Sequence, residues 1–148
     1  MRAWDARAGL GQPSGCVKLG KTVTDVEQSA DGRLLTVAVD ARVVLLEAGG
    51  LGEVGSFALP SGGTVESATL HPSGARLVVG GSDVHVHVLD TATGDEVATL
   101  KGHHGTVWAV RYAPDGNTFL SGADDAVVRV WSTSDVERGA AKAGGGGA

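Results

Sequence analysis

Three turns recur along this chain at a fixed spacing of 42 residues. Ala30, Pro72 and Pro114 stand at equivalent places, and a glycine follows each of them two positions later. Proline fixes one backbone torsion and glycine tolerates a positive one, so both residue types are typical of tight turns. A period of this length indicates an array of similar supersecondary units, in which each unit is completed by its neighbours.

The segments between the turns have the length and residue types of β-strands. They are short and rich in valine and leucine, and the segment from Val84 to Val88 alternates valine with histidine, which is the period of a half-buried strand. Further segments of this kind are Leu34–Val39, Val43–Leu46, Leu77–Val79, Val107–Tyr112 and Val127–Trp131. The sequence therefore predicts an all-β fold of short antiparallel strands.

The repeats divide most of the chain into units of four strands, which is the composition of a β-propeller blade. The repeats cover about 14–48, 53–91 and 95–133, and the first matches the others when one residue is deleted between its second and third strands. Residues 1–5 align with the end of the third repeat. We therefore expect a partial propeller over 1–134, with about three four-stranded antiparallel blades plus one strand of a preceding blade.

The last residues differ in composition from the repeats. Most of the 24 glycines are spread along the chain as turn residues, but the chain ends in an alanine- and glycine-rich segment. Such a segment has little apolar surface to bury on ordering. We expect residues 135–148 to form a disordered Gly/Ala-rich tail.

Four polar groups of the third repeat are spaced for one hydrogen-bonded chain. Asp125 is placed to accept a hydrogen bond from one ring nitrogen of His103. The other ring nitrogen is placed to bond the Ser121 hydroxyl, which in turn can accept from the indole N–H of Trp131. Such a tetrad satisfies each of its buried polar groups and fastens neighbouring strands together. In the second repeat Ser61, Val79 and Leu89 occupy the places of the histidine, the serine and the tryptophan, which predicts a blade held by apolar packing.

The serine, histidine and aspartate also suggest a catalytic triad, so a propeller hydrolase is a competing hypothesis. The set occurs at blade spacing with an indole as its final member, and the chain has no Gly-x-Ser-x-Gly elbow. We therefore predict that the tetrad is structural and that the chain is not an enzyme.

These motifs resemble those of the WD40-repeat family over about residues 1–134. The third repeat has the Gly-His entry at Gly102 and the closing Trp131, although Ser132 stands where the family usually has aspartate. Within that family, the order of blades is similar to that of receptor-associated adaptors. This resemblance implies a non-catalytic scaffold in the survival-of-motor-neuron complex, which assembles spliceosomal ribonucleoproteins, and in receptor-kinase signalling. The WD-repeat subunit of translation initiation factor 3 is the alternative.

The resemblance also implies where partners bind, because WD propellers commonly bind at the surface where the innermost strands begin. The residues that match this surface are Trp108, Asp124, Thr106, Glu66 and Ser82. Trp108 beside Asp124 is the foremost candidate, since exposed aromatic residues anchor interfaces. The alternative is that Trp108 packs against an adjacent blade. We expect other proteins, and the remaining blades of a longer propeller, as partners.

Several other classes of function have no support in the sequence. The net charge is −5 and the arginines, Arg111 among them, are scattered, so no direct nucleic-acid binding is predicted. No apolar stretch approaches the ~18 residues of a membrane helix. His85 and His87 could pair on a metal, but no further ligand stands near them, and we expect both on the solvent face. We predict no metal and no cofactor, and a cytoplasmic and nuclear location.

Overall fold

The computed structural model describes residues 2–4 and 13–145, and in them the chain forms short strands and one helix. The elements, in chain order, are β1 (Arg2–Trp4), β2 (Pro13–Cys16), β3 (Val23–Gln28), β4 (Leu34–Val39), β5 (Arg42–Glu47), β6 (Glu53–Ala58), β7 (Val65–Leu70), β8 (Arg76–Gly81), β9 (Val86–Asp90), β10 (Glu96–Leu100), β11 (Val107–Tyr112), β12 (Thr118–Ala123), β13 (Val128–Ser132) and α1 (Thr133–Gly145). The all-β expectation is confirmed for the repeats.

The strands form antiparallel sheets that are offset from the sequence repeats by one strand. The sheets have the orders β3-β4-β5-β6, β7-β8-β9-β10 and β11-β12-β13, and β1 pairs with β2. Each sequence repeat therefore gives the outer strand of one sheet and the first three strands of the next. Two sheets have four strands, the third has three, and β1 is joined by β2, so the strand count differs in this detail from the expected three four-stranded blades.

The one-residue deletion in the first repeat appears as a shorter hairpin between β4 and β5. Ala38 pairs with Val43 in the first sheet, whereas the equivalent pair in the second sheet is Gly80 with Val86. The first hairpin turns at Asp40, which has a φ of 53°. Aspartate is one of the few non-glycine residues that tolerate this left-handed conformation. The shorter turn leaves the strand register on either side unchanged.

The sheets stack face to face and bury valine and leucine between them. One apolar cluster joins the first sheet to the second, and another joins the second to the third. In the second cluster Val78, Val86 and Val88 of the second sheet pack against β11 and against Phe119, and all of them are at most 2% exposed. Each blade therefore buries its faces only by contact with a neighbouring blade, as repeat architectures require.

The outer face of the third sheet lacks such a neighbour among the described residues. Leu120, Val128 and Val130 stand 42 residues after Val78, Val86 and Val88, and they are 42%, 71% and 66% exposed. The same positions are thus buried between the second and third sheets and open on the third. The residues of this face are thus equivalent to those that form the contact between the second and third sheets.

Residues 133–145 form the helix α1, where the composition predicts a disordered tail from residue 135. The Ser132 hydroxyl accepts a hydrogen bond from the Asp135 backbone N–H, and Asp135 also forms an ion pair with Arg138. An acidic residue in the first turn is favourable because it complements the helix dipole. Val136 packs against the apolar cluster between the second and third sheets. The hydrogen bond and the ion pair are local, whereas the packing of Val136 is a tertiary contact that the composition does not reveal. Residues 146–148 lie outside the described part.

In the part of the chain that the structure describes, no helix is long and apolar enough to cross a membrane.

A substitution at Gly81 tests the close packing between the end of β8 and the residues that lead into β7. A Cβ at this position would collide with the carbonyl oxygen of Thr64, which lies in the backbone and cannot move aside. We expect Gly81→Ala to lower the free energy of unfolding by about 1–3 kcal/mol, in the range of overpacked cores. Urea denaturation measures this loss. Gly52→Ala is the control, since a Cβ there meets open space, and equal effects of the two substitutions would contradict the packing described here.

Candidate functional site

The structure brings the four predicted tetrad residues into one hydrogen-bonded chain. His103 Nδ1 lies 3.0 Å from Asp125 Oδ2, and His103 Nε2 lies 2.8 Å from Ser121 Oγ. Trp131 Nε1 donates to the same hydroxyl at 2.8 Å. The network joins the loop before β11 to β12, to β13 and to the turn between them.

The roles of the atoms in the tetrad follow from their donor capacity. With the proton on Nδ1, His103 donates to Asp125, and Ser121 donates its hydroxyl proton to Nε2 while it accepts from Trp131. Ser121 is 1% exposed and His103 is 4% exposed. The Ser121 hydroxyl thus has a hydrogen-bond partner on each side and is buried. This arrangement suits a structural role and leaves the hydroxyl inaccessible to a substrate.

Asp125 receives several hydrogen bonds at the rim of the tetrad. Desolvation acts to raise its pKa, but hydrogen bonds from the backbone of His104, from the His103 ring and from the backbone of Val127 outweigh that effect. Together they lower the pKa of Asp125 from 3.8 to about 2. The folded protein therefore holds this carboxylate ionised more strongly than the unfolded chain does.

The second blade has a polar network of its own, so the expectation of a blade held by apolar packing alone is wrong: Ser61 and Asp83 keep two tetrad positions, and His87 and Glu96 are added. His87 is 2% exposed, so the expectation that it lies on the solvent face is wrong. Its Nε2 lies 2.6 Å from Asp83 Oδ2 and its Nδ1 lies 3.1 Å from Glu96 Oε1. Ser61 also hydrogen-bonds to Asp83. Alternation did not reveal this burial because sheets cover both faces of β9, and a carboxylate lies within hydrogen-bonding distance of each ring nitrogen.

No group of three or more His, Cys, Asp or Glu within residues 2–4 and 13–145 could hold a metal ion.

A polar cluster that sequence reasoning missed lies where the inner strands β3, β7 and β11 meet. The two terminal guanidinium nitrogens of Arg111 donate to the Asp25 carboxylate, each at 2.8 Å. The Ser67 hydroxyl donates to Asp25 Oδ2 at 2.6 Å and accepts from the backbone N–H of Val110 at 3.1 Å. Desolvation acts to raise the pKa of Asp25, but the bonds from Arg111 and Ser67 prevail and lower it. Arg111 is therefore part of a built ion pair between the first and third blades.

A second layer repeats this arrangement two residues further along each strand. Thr69 hydrogen-bonds to the Glu27 side chain, and the Thr69 hydroxyl accepts from the Tyr112 backbone N–H at 3.1 Å. Burial raises the pKa of Glu27 above 4.5, against the opposing effect of Thr69 and Arg111. An acid on β3, a hydroxyl on β7 and an amide on β11 thus form each layer. The signal for this in the sequence is the polar residue at every second position of β3 and β7.

The structure pairs Trp108 with Asp124 at the surface. Trp108 Nε1 donates to Asp124 Oδ1 at 2.6 Å, and the indole is 53% exposed. The Asp124 backbone N–H donates to the carbonyl of Thr106 at 3.0 Å, which ties the aspartate to the start of β11. A hydrogen bond thus holds the edge of the indole, while about half of the side chain stays exposed to solvent. Whether Trp108 contacts a partner or packs against a further blade stays a prediction.

Glu66 and Ser82 form a separate group at the equivalent end of β7. The Thr64 hydroxyl donates to Glu66 Oε1 at 2.9 Å, and the Thr64 backbone N–H donates to Ser82 Oγ at 3.0 Å. The structure thus joins these two candidates to each other through Thr64, and Trp108, Asp124 and Thr106 to one another. A role of either group in partner binding stays a prediction.

Acid unfolding tests the environment of Asp125. Because its pKa is about 2 when folded and 3.8 in an unperturbed aspartate, its contribution to stability is complete above about pH 4 and is lost as the pH falls towards 2. We expect the difference in unfolding free energy between the native protein and Asp125→Asn to shrink over that interval. Urea titrations at several pH values measure it. A difference that stays constant from pH 5 to pH 2 would contradict the assignment.

Comparison with known proteins agrees with this geometry. Residues 94–132 match the family model described as WD domain, G-beta repeat. The chain is 39% identical over 131 residues to the serine-threonine kinase receptor-associated protein of Dictyostelium discoideum, covering 88% of this chain and 43% of that protein. It is 34% identical over 112 residues to the protein of the same name from Homo sapiens, covering 76% of this chain and 31% of that protein.

Among solved structures, the WD40 repeats of RRP9 superimpose with a TM-score of 0.71 over 80% of this chain and 38% of that chain, at 14% identity. That likeness concerns the fold alone. The chain spans less than half of the length of the curated relatives described above, namely 43% and 31%. The predicted resemblance is confirmed: the chain is a WD40-repeat protein, homologous over most of its length to the serine-threonine kinase receptor-associated proteins.

Proposed function

We propose that this chain is a non-catalytic scaffold that binds other proteins through the surface where β7 and β11 begin. The observation that carries the proposal is Trp108, a large aromatic side chain that is 53% exposed and held in one orientation by Asp124. Interfaces draw much of their binding energy from a few such residues, because a rigid aromatic ring buries a large area at a small entropic cost. Glu66 and Thr106 are the polar residues placed to surround this anchor.

The homologues indicate the class of complex. Their name describes association with a serine-threonine kinase receptor. We propose that this chain likewise takes part in receptor-kinase signalling and, from the resemblance of its blades, in the survival-of-motor-neuron complex and hence in mRNA splicing. A scaffold with both roles would act in the cytoplasm and in the nucleus.

The exposed face of the third sheet points to further blades as partners. Leu120, Val128 and Val130 match residues that are buried in the contact between the second and third sheets. Exposed apolar patches of this kind mark interaction surfaces. We propose that another blade of the WD40 type covers this face in the working protein.

Affinity capture tests the scaffold proposal. The tagged chain, Trp108→Ala and Val54→Ala are used as baits in extracts of the source cells, and the captured proteins are identified by mass spectrometry. Val54 is the matched control because it is an exposed apolar residue, at 63%, on an outer strand. We expect the native chain and Val54→Ala to recover assembly factors of the spliceosomal Sm core, and Trp108→Ala to recover at least about tenfold less, as for a hot-spot residue.

A folded Trp108→Ala protein that captures the same factors at full strength would refute the binding surface. Recovery of subunits of translation initiation factor 3 in place of Sm-core factors would refute the complex. Circular dichroism of each variant shows whether the blades are intact.

A further inference from the structure

A cavity of about 340 Å³ lies at the opposite end of the inner strands from Trp108. The ends of β3, β7 and β11 and the turns that follow them form its walls. Leu70, Pro72 and Pro114 supply an apolar wall, while Glu27 and Thr36 supply polar groups. The cavity therefore has an apolar side and one acidic end.

Two polar atoms at the acidic end are buried without a hydrogen-bond partner. They are Oε2 of Glu27 and Oγ1 of Thr36. Thr36 is 1% exposed, and it stands directly opposite Glu27 in the pairing of β3 with β4. Buried polar groups in native proteins are normally satisfied, so each exception needs a physical reason. Both residues also line the cavity.

The other repeats show that blade packing does not need a hydroxyl at the position of Thr36. Thr36 is equivalent to Val78 and Leu120, which stand 42 and 84 residues later, and Val78 is fully buried in the next contact between blades. Glu27 is equivalent to Thr69 and Arg111 at the same spacing. A hydroxyl thus stands at Thr36 where the next two repeats have an aliphatic residue, whereas the position of Glu27 is polar in all three repeats. The polar pair is a feature of the first repeat alone.

The chemistry of the cavity selects a cation with an aliphatic stem. Glu27 takes part in none of the ion pairs of the described residues, because the nearby Arg111 is bound to Asp25 and Ser67. A primary ammonium has three donors and no acceptor, so it can satisfy both Glu27 Oε2 and Thr36 Oγ1. The leucine and the two prolines suit the methylene stem of such a group.

We propose that this cavity binds the side chain of a lysine from a partner protein, with its ammonium on Glu27 and Thr36 and its stem against Leu70, Pro72 and Pro114. This site is distinct from the surface around Trp108 and does not depend on the identity of the complex. A scaffold would thereby hold partners at both ends of its inner strands.

An NMR titration of the full chain tests the lysine site. The probe is Nα-acetyl-lysine N-methylamide, and the isosteric Nα-acetyl-norleucine N-methylamide lacks only the charge and donors. We expect the lysine probe to shift the amide signals of Gln28, Leu70 and Ala113, which border the cavity, in a saturable manner. Glu27→Gln should weaken the binding at least tenfold, and Thr36→Val should weaken it about threefold.

Two features of the design separate binding from folding. Thr36→Val should fold at least as stably as the native protein, because it removes an unsatisfied buried hydroxyl and installs the residue of the second repeat, so its thermal midpoint should not fall. Glu53→Gln removes the same charge from an exposed position of β6 and should bind like the native chain. Equal shifts by the norleucine probe, unchanged binding by Glu27→Gln, or no shift in the native chain would each refute the site.

Discussion

The contact between neighbouring blades is the constraint on which the rest of the structure depends. A blade pairs its strands only within its own sheet, so β11 has one edge that no strand covers among the described residues. Ser67 and Thr69, both at most 1% exposed, accept from the backbone amides on that edge, and each hydrogen-bonds in turn to an acid of β3. These two layers tie the first, second and third blades together around apolar clusters that no blade could bury alone.

Much of the fold could be predicted because the repeat imposes it. The spacing of Pro72 and Pro114 located the turns, and the segments of valine and leucine located strands such as β4 and β11. The tetrad residues also lie where their spacing placed them. The helix α1 could not be predicted from composition, because its anchor at Val136 depends on a tertiary contact. The burial of His87 was missed for a similar reason, since only the fold reveals that Asp83 and Glu96 lie on both sides of the ring.

The inner strands show how one repeat supports both packing and binding. Positions that face a neighbouring sheet are apolar in most repeats, and the exposed Val130 shows what such a position looks like without its neighbour. Positions that face other inner strands vary: Asp25 and Ser67 are equivalent, and together with Arg111 they form the ion-paired cluster. Function can therefore change at the inner strands and at the surface around Trp108 while the spacing that defines the blades stays the same.

A double-mutant cycle on Asp25 and Ser67 tests most directly whether hydrogen bonds between inner strands hold the blades together. The free energy of unfolding is measured in urea for the native chain, Asp25→Ala, Ser67→Ala and the double variant. Residues that share one hydrogen-bond network couple by about 0.5–3 kcal/mol. We predict a coupling of about 1 kcal/mol or more between these two side chains. Effects that add within about 0.3 kcal/mol would show that the hydrogen bond between Asp25 and Ser67 does not couple the blades, and would contradict this account.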